Sequence, residues 1–245
     1  MKVCVLIPTY DNPTTIAAVV EGVRRHVTDV LVIDDGSAAP ARRVLRDLAA
    51  SGACSLLVRP ENGGKGAALM DGLSWAKEHG FDHAVAIDAD LQHDSDDIPR
   101  FLARVDPTRA TLVLGQPVFD DSAPAIRRFG RQISVFWVMV ETLSRRVGDP
   151  LCGYRVYPVA ASLATGTRAQ GMDIDIEIAV RLVWAGVNVE HVTTHVTYPP
   201  GGVSHFRGVA DSLLIARLHV RLCLEGLWRL GKRALRALSR RPSHG

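Results

Sequence analysis

The sequence predicts an α/β protein built on a mainly parallel central sheet flanked by helices. Three observations predict it. Apolar, β-rich runs alternate with helical patterns through the first half of the 245 residues. The runs are continuously hydrophobic, as strands covered on both faces are. Acids and glycines gather where the runs end, and parallel sheets bind ligands beyond the carboxyl ends of their strands.

Strands are expected at 2–8, 29–34, 54–59, 83–88 and 111–115, with helices at 13–27, 41–51, 66–79 and 95–105. This spacing suits right-handed crossovers between parallel strands. The second half is less regular. It reads as a long helix over 123–147, a turn and strand over 149–158 and a helix over 173–185. A strand over 188–196, a Pro/Gly loop over 198–202 and a last helix over 209–238 follow. One catalytic domain is expected over 1–206, followed by a basic amphipathic tail over 207–245.

With 47% hydrophobic and 22% charged residues, the chain is neither disordered, collagen-like nor a disulfide scaffold. No apolar run reaches the ~18–20 residues of a spanning helix. The start, Met1 to Pro8, lacks the pattern of a signal peptide, so a cytoplasmic protein is expected. Cys4, Cys54, Cys152 and Cys223 lie far apart with no C-x-x-C pair, which reads as reduced thiols without structural zinc. The tail carries nine Lys/Arg against two acids, so the net +3 of the chain divides into +7 there and −4 before it.

The fourth strand ends in Asp88-Ala89-Asp90. Residues two apart on a strand point the same way, so both carboxylates can meet one ligand. Two such acids repel unless a cation lies between them, and hard oxygen donors suit Mg²⁺ or Mn²⁺. Gln92 offers a further amide oxygen, while Asp96 and Asp97 read as helix-start acids. The alternatives for the pair are a solvated strand-end turn or a helix N-cap run through Asp94-Ser95-Asp96-Asp97. Asp34-Asp35-Gly36-Ser37 ends the second strand, either as a ribose or base contact or as a tight turn. Asn62-Gly63-Gly64-Lys65-Gly66-Ala67-Ala68 precedes a helix. Gly66 stands where a Walker loop needs Ser or Thr, and Leu69 where a dinucleotide fingerprint needs Gly or Ala. Small residues there also permit close helix–strand packing.

In this order, with Ile7-Pro8-Thr9-Tyr10 before them and Cys152-Gly153-Tyr154-Arg155 after, these segments resemble the family 2 inverting glycosyltransferases of GT-A fold. The likeness is nearest to the branch of dolichyl- and polyprenyl-phosphate mannosyl- and glucosyltransferases. It is strong over 1–155 and thinner to about 207. The resemblance implies that Pro8, Tyr10, Asp34 and Asp35 hold base and ribose, and that Lys65 lies in the nucleotide-side loop. It implies Asp88, Asp90 and Gln92 as ligands of Mg²⁺ or Mn²⁺, with Asp88 also near the nucleotide. Asp175 and Glu177 fall at an acidic motif of the acceptor-side helix, and Asp175, then Asp149, are the candidate bases.

Two departures stand out. Asp11-Asn12 replaces an Asn-Glu pair, and Gln116-Pro117 replaces a Ser-Arg pair that binds phosphate. Arg127, Arg128 or Arg131 is expected to substitute, with Arg131 the candidate carried forward. His205 and Arg207 are placed at an altered basic loop on the diphosphate; ordinary helix entry is the rival reading. A nucleotidyltransferase would want a Gly-rich basic loop after the first strand, which is missing. An inactive GT-A scaffold is the rival outside enzymes.

The implied reaction moves a hexose from a nucleotide-diphosphate sugar, with inversion, to a membrane lipid. A polyprenyl phosphate is the first acceptor expected; a hydroxyl of another lipid is the second. Around 127–146 and in the last helix, apolar residues recur at helical spacing among arginines, the pattern of an interfacial helix. A peripheral place on the cytoplasmic face of the membrane is expected. A core contact, a second copy of the chain or a membrane-protein partner is the other reading of those helices. No aromatic platform accompanies the arginines, so nucleic acid is not expected.

Overall fold

The computed structural model describes residues 1–119, 125–197 and 208–239, without the side chains at 119, 125–129, 233–234 and 237–239. The chain runs β1 (Val3–Thr9), α1 (Ile16–Arg24), β2 (Val30–Asp34), α2 (Ala39–Ala50), β3 (Ser55–Val58), α3 (Lys65–Glu78) and β4 (His83–Ala86). A 3₁₀ turn (Ser95–Asp97) leads into α4 (Ile98–Leu102), β5 (Thr111–Phe119) and α5 (Ala125–Thr142). Then come β6 (Arg155–Pro158), α6 (Val159–Leu163), α7 (Ile174–Trp184), β7 (Asn188–Val196) and α8 (Gly208–Ser239).

The seven strands form one sheet in the order β3-β2-β1-β4-β6-β5-β7. All neighbours are parallel except β6, which runs antiparallel to both β4 and β5. The sheet is therefore mainly parallel, as expected. Alternate residues of β1 face opposite layers. Cys4 and Leu6 pack with α3, α7 and α8 through Leu73, Ile178, Leu218 and Leu222. Val5 and Ile7 pack with α1 and α4 through Ile16, Val20 and Phe101. Truncating a buried leucine such as Leu6 to Ala typically costs about 2–5 kcal/mol.

Several bounds differ from those expected, each for a local reason. β5 runs four residues beyond 115, because it pairs with β7 in unbroken parallel register from Thr111–Asn188 to Phe119–Val196. α5 stops at Thr142, five residues before 147, where Leu143 turns to a φ of 50°. A left-handed residue at a helix end cannot continue the helix. β4 stops at Ala86, so Asp88 and Asp90 stand on the chain beyond the strand rather than on it. α3 lies close to the sheet because Gly72 faces it; a Cβ there would stand 3.0 Å from Ile33 Cδ1.

The four cysteines are free thiols, and burial pushes Cys4 and Cys152 up to about 12. Among the described residues, no helix is long and apolar enough to cross a membrane. The boundary expected at 206 lies outside the described residues. Beyond it, Leu218 and Leu222 of α8 belong to the core.

His83 opens β4, buried, with no hydrogen bond to either ring nitrogen. Burial lowers its pKa below the ordinary 6.5, against a smaller upward pull from Asp82. The unfolded chain then accepts a proton near 6.5 that the folded chain refuses. The contribution to stability is complete above that value and is lost as pH falls through the lower, folded value. His83→Gln should shrink the drop in Tm between about pH 7.5 and about pH 5. An equal drop in parent and variant would refute this account.

Candidate active site

The sheet reverses its winding between β1 and β4, since β2 and β3 lie to one side of β1 and β4 to the other. Crevices of α/β sheets open at such a point, beyond the carboxyl ends. Pro8 pairs with Ile33 at the end of β1, and Tyr10 stands 37% exposed just beyond. Asp11 has a φ of 49°. Its N–H donates to Ser37 Oγ (3.0 Å), and its carboxylate accepts from the Ala38 N–H (2.8 Å). The residue that departs from the family pattern thus ties the β1 loop to the β2 loop. On the other side, the Thr15 hydroxyl donates to the Ala89 carbonyl at 2.6 Å.

The two acids after β2 have different surroundings. Asp34 is fully buried; Oδ1 accepts the Ser37 N–H at 2.9 Å. Its Oδ2 has no hydrogen bond, and Arg42 Nε stands 3.7 Å away. Asp35 is spent within the protein. It accepts the Gly63 and Gly64 N–H groups at 2.9 and 2.8 Å and pairs with Arg59. Arg59 also binds Asp71 at 2.7 Å. Asp35 therefore shapes the glycine loop instead of facing the crevice with free oxygens. Gly36, with a φ of 75°, lets that loop approach: a Cβ would stand 2.6 Å from the Asn62 nitrogen.

The glycine loop does not offer its helix terminus to a phosphate. The Gly66 and Ala67 N–H groups both donate to the Gln170 carbonyl, at 2.7 and 3.2 Å. What it delivers is the Lys65 side chain. Lys65 Nζ bridges Asp88 Oδ1 (2.8 Å) and Asp175 Oδ2 (3.0 Å). Burial works against the ammonium, but the carboxylates of Asp175 and Asp88 outweigh it and raise its pKa. Gly153 closes the bridge. A Cβ on it would stand 2.5 Å from Lys65 Nζ and 2.6 Å from Asp88 Oδ2.

Asp88 and Asp90 titrate apart. Burial alone would raise Asp88, but the charge of Lys65, then of His93, brings it down. Burial, then the charge of Asp88, pushes Asp90 up to about 6. Asp90 accepts the Gln92 N–H at 3.1 Å, across a turn in which Leu91 has a φ of 60°. The Gln92 carbonyl accepts the Thr197 N–H, which fixes the turn to the end of β7. A carboxylate pair whose second member resists ionisation is a donor set that a hard divalent cation fits. Among the described residues, no three His, Cys, Asp or Glu side chains gather as a complete cage. A partial oxygen set of this kind is what Mg²⁺ completes with phosphates and water.

Asp175 opens α7, buried, with Oδ1 accepting from the Tyr157 hydroxyl at 3.3 Å and Oδ2 on Lys65. Asp149 accepts the Leu151 N–H at 2.8 Å and pairs with Arg131 at 3.4 Å. Both candidate bases are thus engaged by cations. Arg155 is buried and donates to the carbonyls of Cys152, Asp175 and Pro150 at 2.6, 2.5 and 2.7 Å, which fixes the turn carrying Gly153. Sequence reasoning gave Gly153, Tyr157 and Arg155 no role. The motif around Gly153 was the one available signal, because a glycine beside a buried cation marks close approach. His205 and Arg207 lie outside the described residues, as do the side chains of Arg127 and Arg128. A separate 720 Å³ cavity, lined by Arg109, Arg146, Ala161, Ala185 and Asn188 among others, opens elsewhere and holds none of these residues.

The glycosyl transferase family 2 model matches residues 4–162. An uncharacterised protein of Methanocaldococcus jannaschii is 27% identical over 217 residues, covering 82% of this chain and 90% of its own. Polyprenol monophosphomannose synthase of Mycolicibacterium smegmatis is 27% identical over 219 residues, covering 84% of this chain and 82% of its own. Glucosyl-3-phosphoglycerate synthase of Mycobacterium tuberculosis, solved with Mn²⁺, UDP and glucosyl-3-phosphoglycerate, superposes with a TM-score of 0.68 at 16% identity. That match covers 92% of this chain and 79% of the other, and it shows the shared GT-A fold. With this model spanning more than half of its residues, the chain belongs to glycosyl transferase family 2.

Proposed function

We propose that the chain transfers a hexose, with inversion, from a nucleotide-diphosphate sugar to a polyprenyl phosphate, using Mg²⁺ or Mn²⁺. The observation that carries this reading is the Asp88–Asp90 pair at the sheet's switch point, with Asp90 held up to about 6 by burial and by Asp88. The cation, when bound by Asp88, Asp90 and Gln92, neutralises charge that builds on the nucleoside diphosphate leaving group. Lys65 brings a positive charge to the same place, and Pro8, Tyr10 and the buried Asp34, at the ends of β1 and β2, are proposed to serve base and ribose. Asp35 serves the nucleotide indirectly, by shaping the loop that delivers Lys65. Arg131 is proposed to serve the diphosphate, as are His205 and Arg207, which lie outside the described residues.

The acceptor follows from the state of the candidate bases. A hydroxyl needs a base within hydrogen-bond reach. Asp175 is held by Lys65 and Tyr157, and Asp149 by Arg131. A phosphate is already anionic near neutral pH and attacks without that help. The names of the Mycolicibacterium smegmatis relative and of undecaprenyl-phosphate mannosyltransferase from Micrococcus luteus, 34% identical over 118 residues, point the same way. So does the outer surface. Ile133, Phe136, Trp137 and Val140 form an exposed apolar stripe on α5. Leu213, Val220, Leu224, Leu227, Trp228 and Leu235 form another on α8, beside Arg217, Lys232 and Arg236. Stripes of this kind lie in a membrane interface, where each cation near an anionic leaflet adds about 1 kcal/mol. The cytoplasmic leaflet is the proposed surface.

Three outcomes are expected. Asp90→Ala should abolish Mn²⁺-dependent release of nucleoside diphosphate while shifting Tm by no more than about 2–4 °C. Near-normal turnover with intact metal dependence would defeat the metal assignment, and release of pyrophosphate by the parent would indicate a nucleotidyltransferase. Gly153→Ala should lower kcat/KM by about tenfold or more, because the added methyl displaces Lys65 or Asp88 from a charge-assisted contact; parent-like kinetics would show the bridge to be dispensable. Because part of α8 is core, point changes test the surface better than truncation. Leu224→Glu with Leu227→Glu should reduce sedimentation with anionic liposomes at unchanged Tm, and undiminished sedimentation would remove the membrane from the account.

A further inference from the structure

Glu177 has no part in the chemistry above, yet it is fully buried in α7 and meets donors from three sides. Its Oε2 accepts the Arg168 and Ala169 N–H groups at 3.0 and 2.6 Å. Its Oε1 binds Arg181 Nε at 2.7 Å, one turn along α7. Arg221 of α8 reaches Oε2 at 2.8 Å, and Arg181 reaches across to Glu225 of α8 at 2.9 Å. A buried carboxylate with this many donors is fixed in place, and it fixes whatever donates to it.

What donates to it leads to the crevice. The residue after Ala169 is Gln170, whose carbonyl satisfies the first free N–H groups of α3, those of Gly66 and Ala67. The approach is tight: a Cβ on Gly66 would stand 2.6 Å from the Ala169 carbonyl, and one on Gly64 2.5 Å from the Gln170 carbonyl. Lys65 sits between those two glycines. On the outer side, Leu214 of α8 covers the same loop; a Cβ on Gly171 would stand 2.8 Å from it. The segment 168–171 is thus clamped between α8 and the amino end of α3.

We propose that Glu177 is a positioning residue that holds Lys65 between Asp88 and Asp175 through the 168–171 loop, and that Arg221 makes α8 part of this clamp. The inference rests on the donor-site reading above and deepens it. A helix expected only as a tail becomes a determinant of donor binding at one remove from the ligand. A purely structural Glu177 would instead stabilise the whole fold evenly.

The test uses the full chain with Arg221→Ala and Arg221→Lys, and Glu177→Gln as a second site. Backbone hydrogen exchange, Tm and steady-state kinetics with a sugar nucleotide and Mn²⁺ are measured. In Arg221→Ala, exchange at Gly66 and Ala67 should quicken about tenfold and donor KM rise about tenfold, as the loss of one charge-assisted hydrogen bond predicts. Acceptor KM should stay put, Arg221→Lys should keep exchange and donor KM close to the parent's, and Glu177→Gln should show the same local pattern as Arg221→Ala more strongly. Unchanged exchange at these amides, or faster exchange spread evenly along the chain, would overturn the proposal. If the parent bound no sugar nucleotide, the donor-site reading would fail, while the exchange result would still decide whether the clamp exists.

Discussion

The site depends on one buried ammonium. Burial works against the charge of Lys65, and the carboxylates of Asp175 and Asp88 outweigh that burial and raise its pKa. A buried charge is tolerated when it is paired and hydrogen-bonded. The pairing joins three parts of the chain: the glycine loop before α3, the tip beyond β4 and the first turn of α7. Most of the special backbone around it follows. Gly64 turns to a φ of 93°, Gly66 admits the Ala169–Gln170 backbone, and Gly153 leaves no side chain where Nζ and Asp88 meet. Asp35 and Arg59 then lock the loop from behind.

The same bridge sorts the acids of the crevice into roles. Asp88 and Asp175 share an ammonium; Asp90 gains a backbone N–H but, among the described residues, no ion pair. Burial, then the charge of Asp88, pushes the Asp90 carboxyl up to about 6. Two neighbouring carboxylates whose affinities for protons are driven apart are a common mark of a functional centre. The other two acids, Asp175 and Asp149, are engaged by Lys65 and Arg131.

Much of this was legible in the sequence, and the rest was hidden for definable reasons. The alternation of apolar runs and helices gave the sheet, since period and length carry that information locally. The acids at strand ends were found because polar residues interrupt otherwise apolar runs. Their orientation was not. An acid after a strand reads the same whether it meets one backbone amide of its own turn, as Asp90 does, or the amides of the next loop, as Asp35 does. β6 escaped as an antiparallel insertion because a four-residue strand takes its partners from packing, not from pattern. Glu177 looked like one half of an acidic motif; that its neighbours in space are Arg221 and the Ala169 amide is a fact of tertiary structure alone.

The last helix shows how one sequence pattern can serve two surfaces. α8 has 32 residues, about 48 Å of helix. Leu218 and Leu222 face inward and lie in the core, while Leu213, Val220, Leu224 and Leu227 face outward. A helix apolar on two sides needs a partner on each. The inner partner is the sheet's own layer, reinforced by Arg221 on Glu177 and Glu225 on Arg181. Because the inner face is pinned by directional contacts, the outer stripe has a fixed rotation relative to α7 and to Asp175 at its start. An exposed apolar stripe with that fixed aspect, continued by Phe136 and Trp137 on the adjoining α5, would hold a lipid surface at a set distance from the crevice. A loosely tethered tail would bind the same membrane but leave the crevice free to turn away from it.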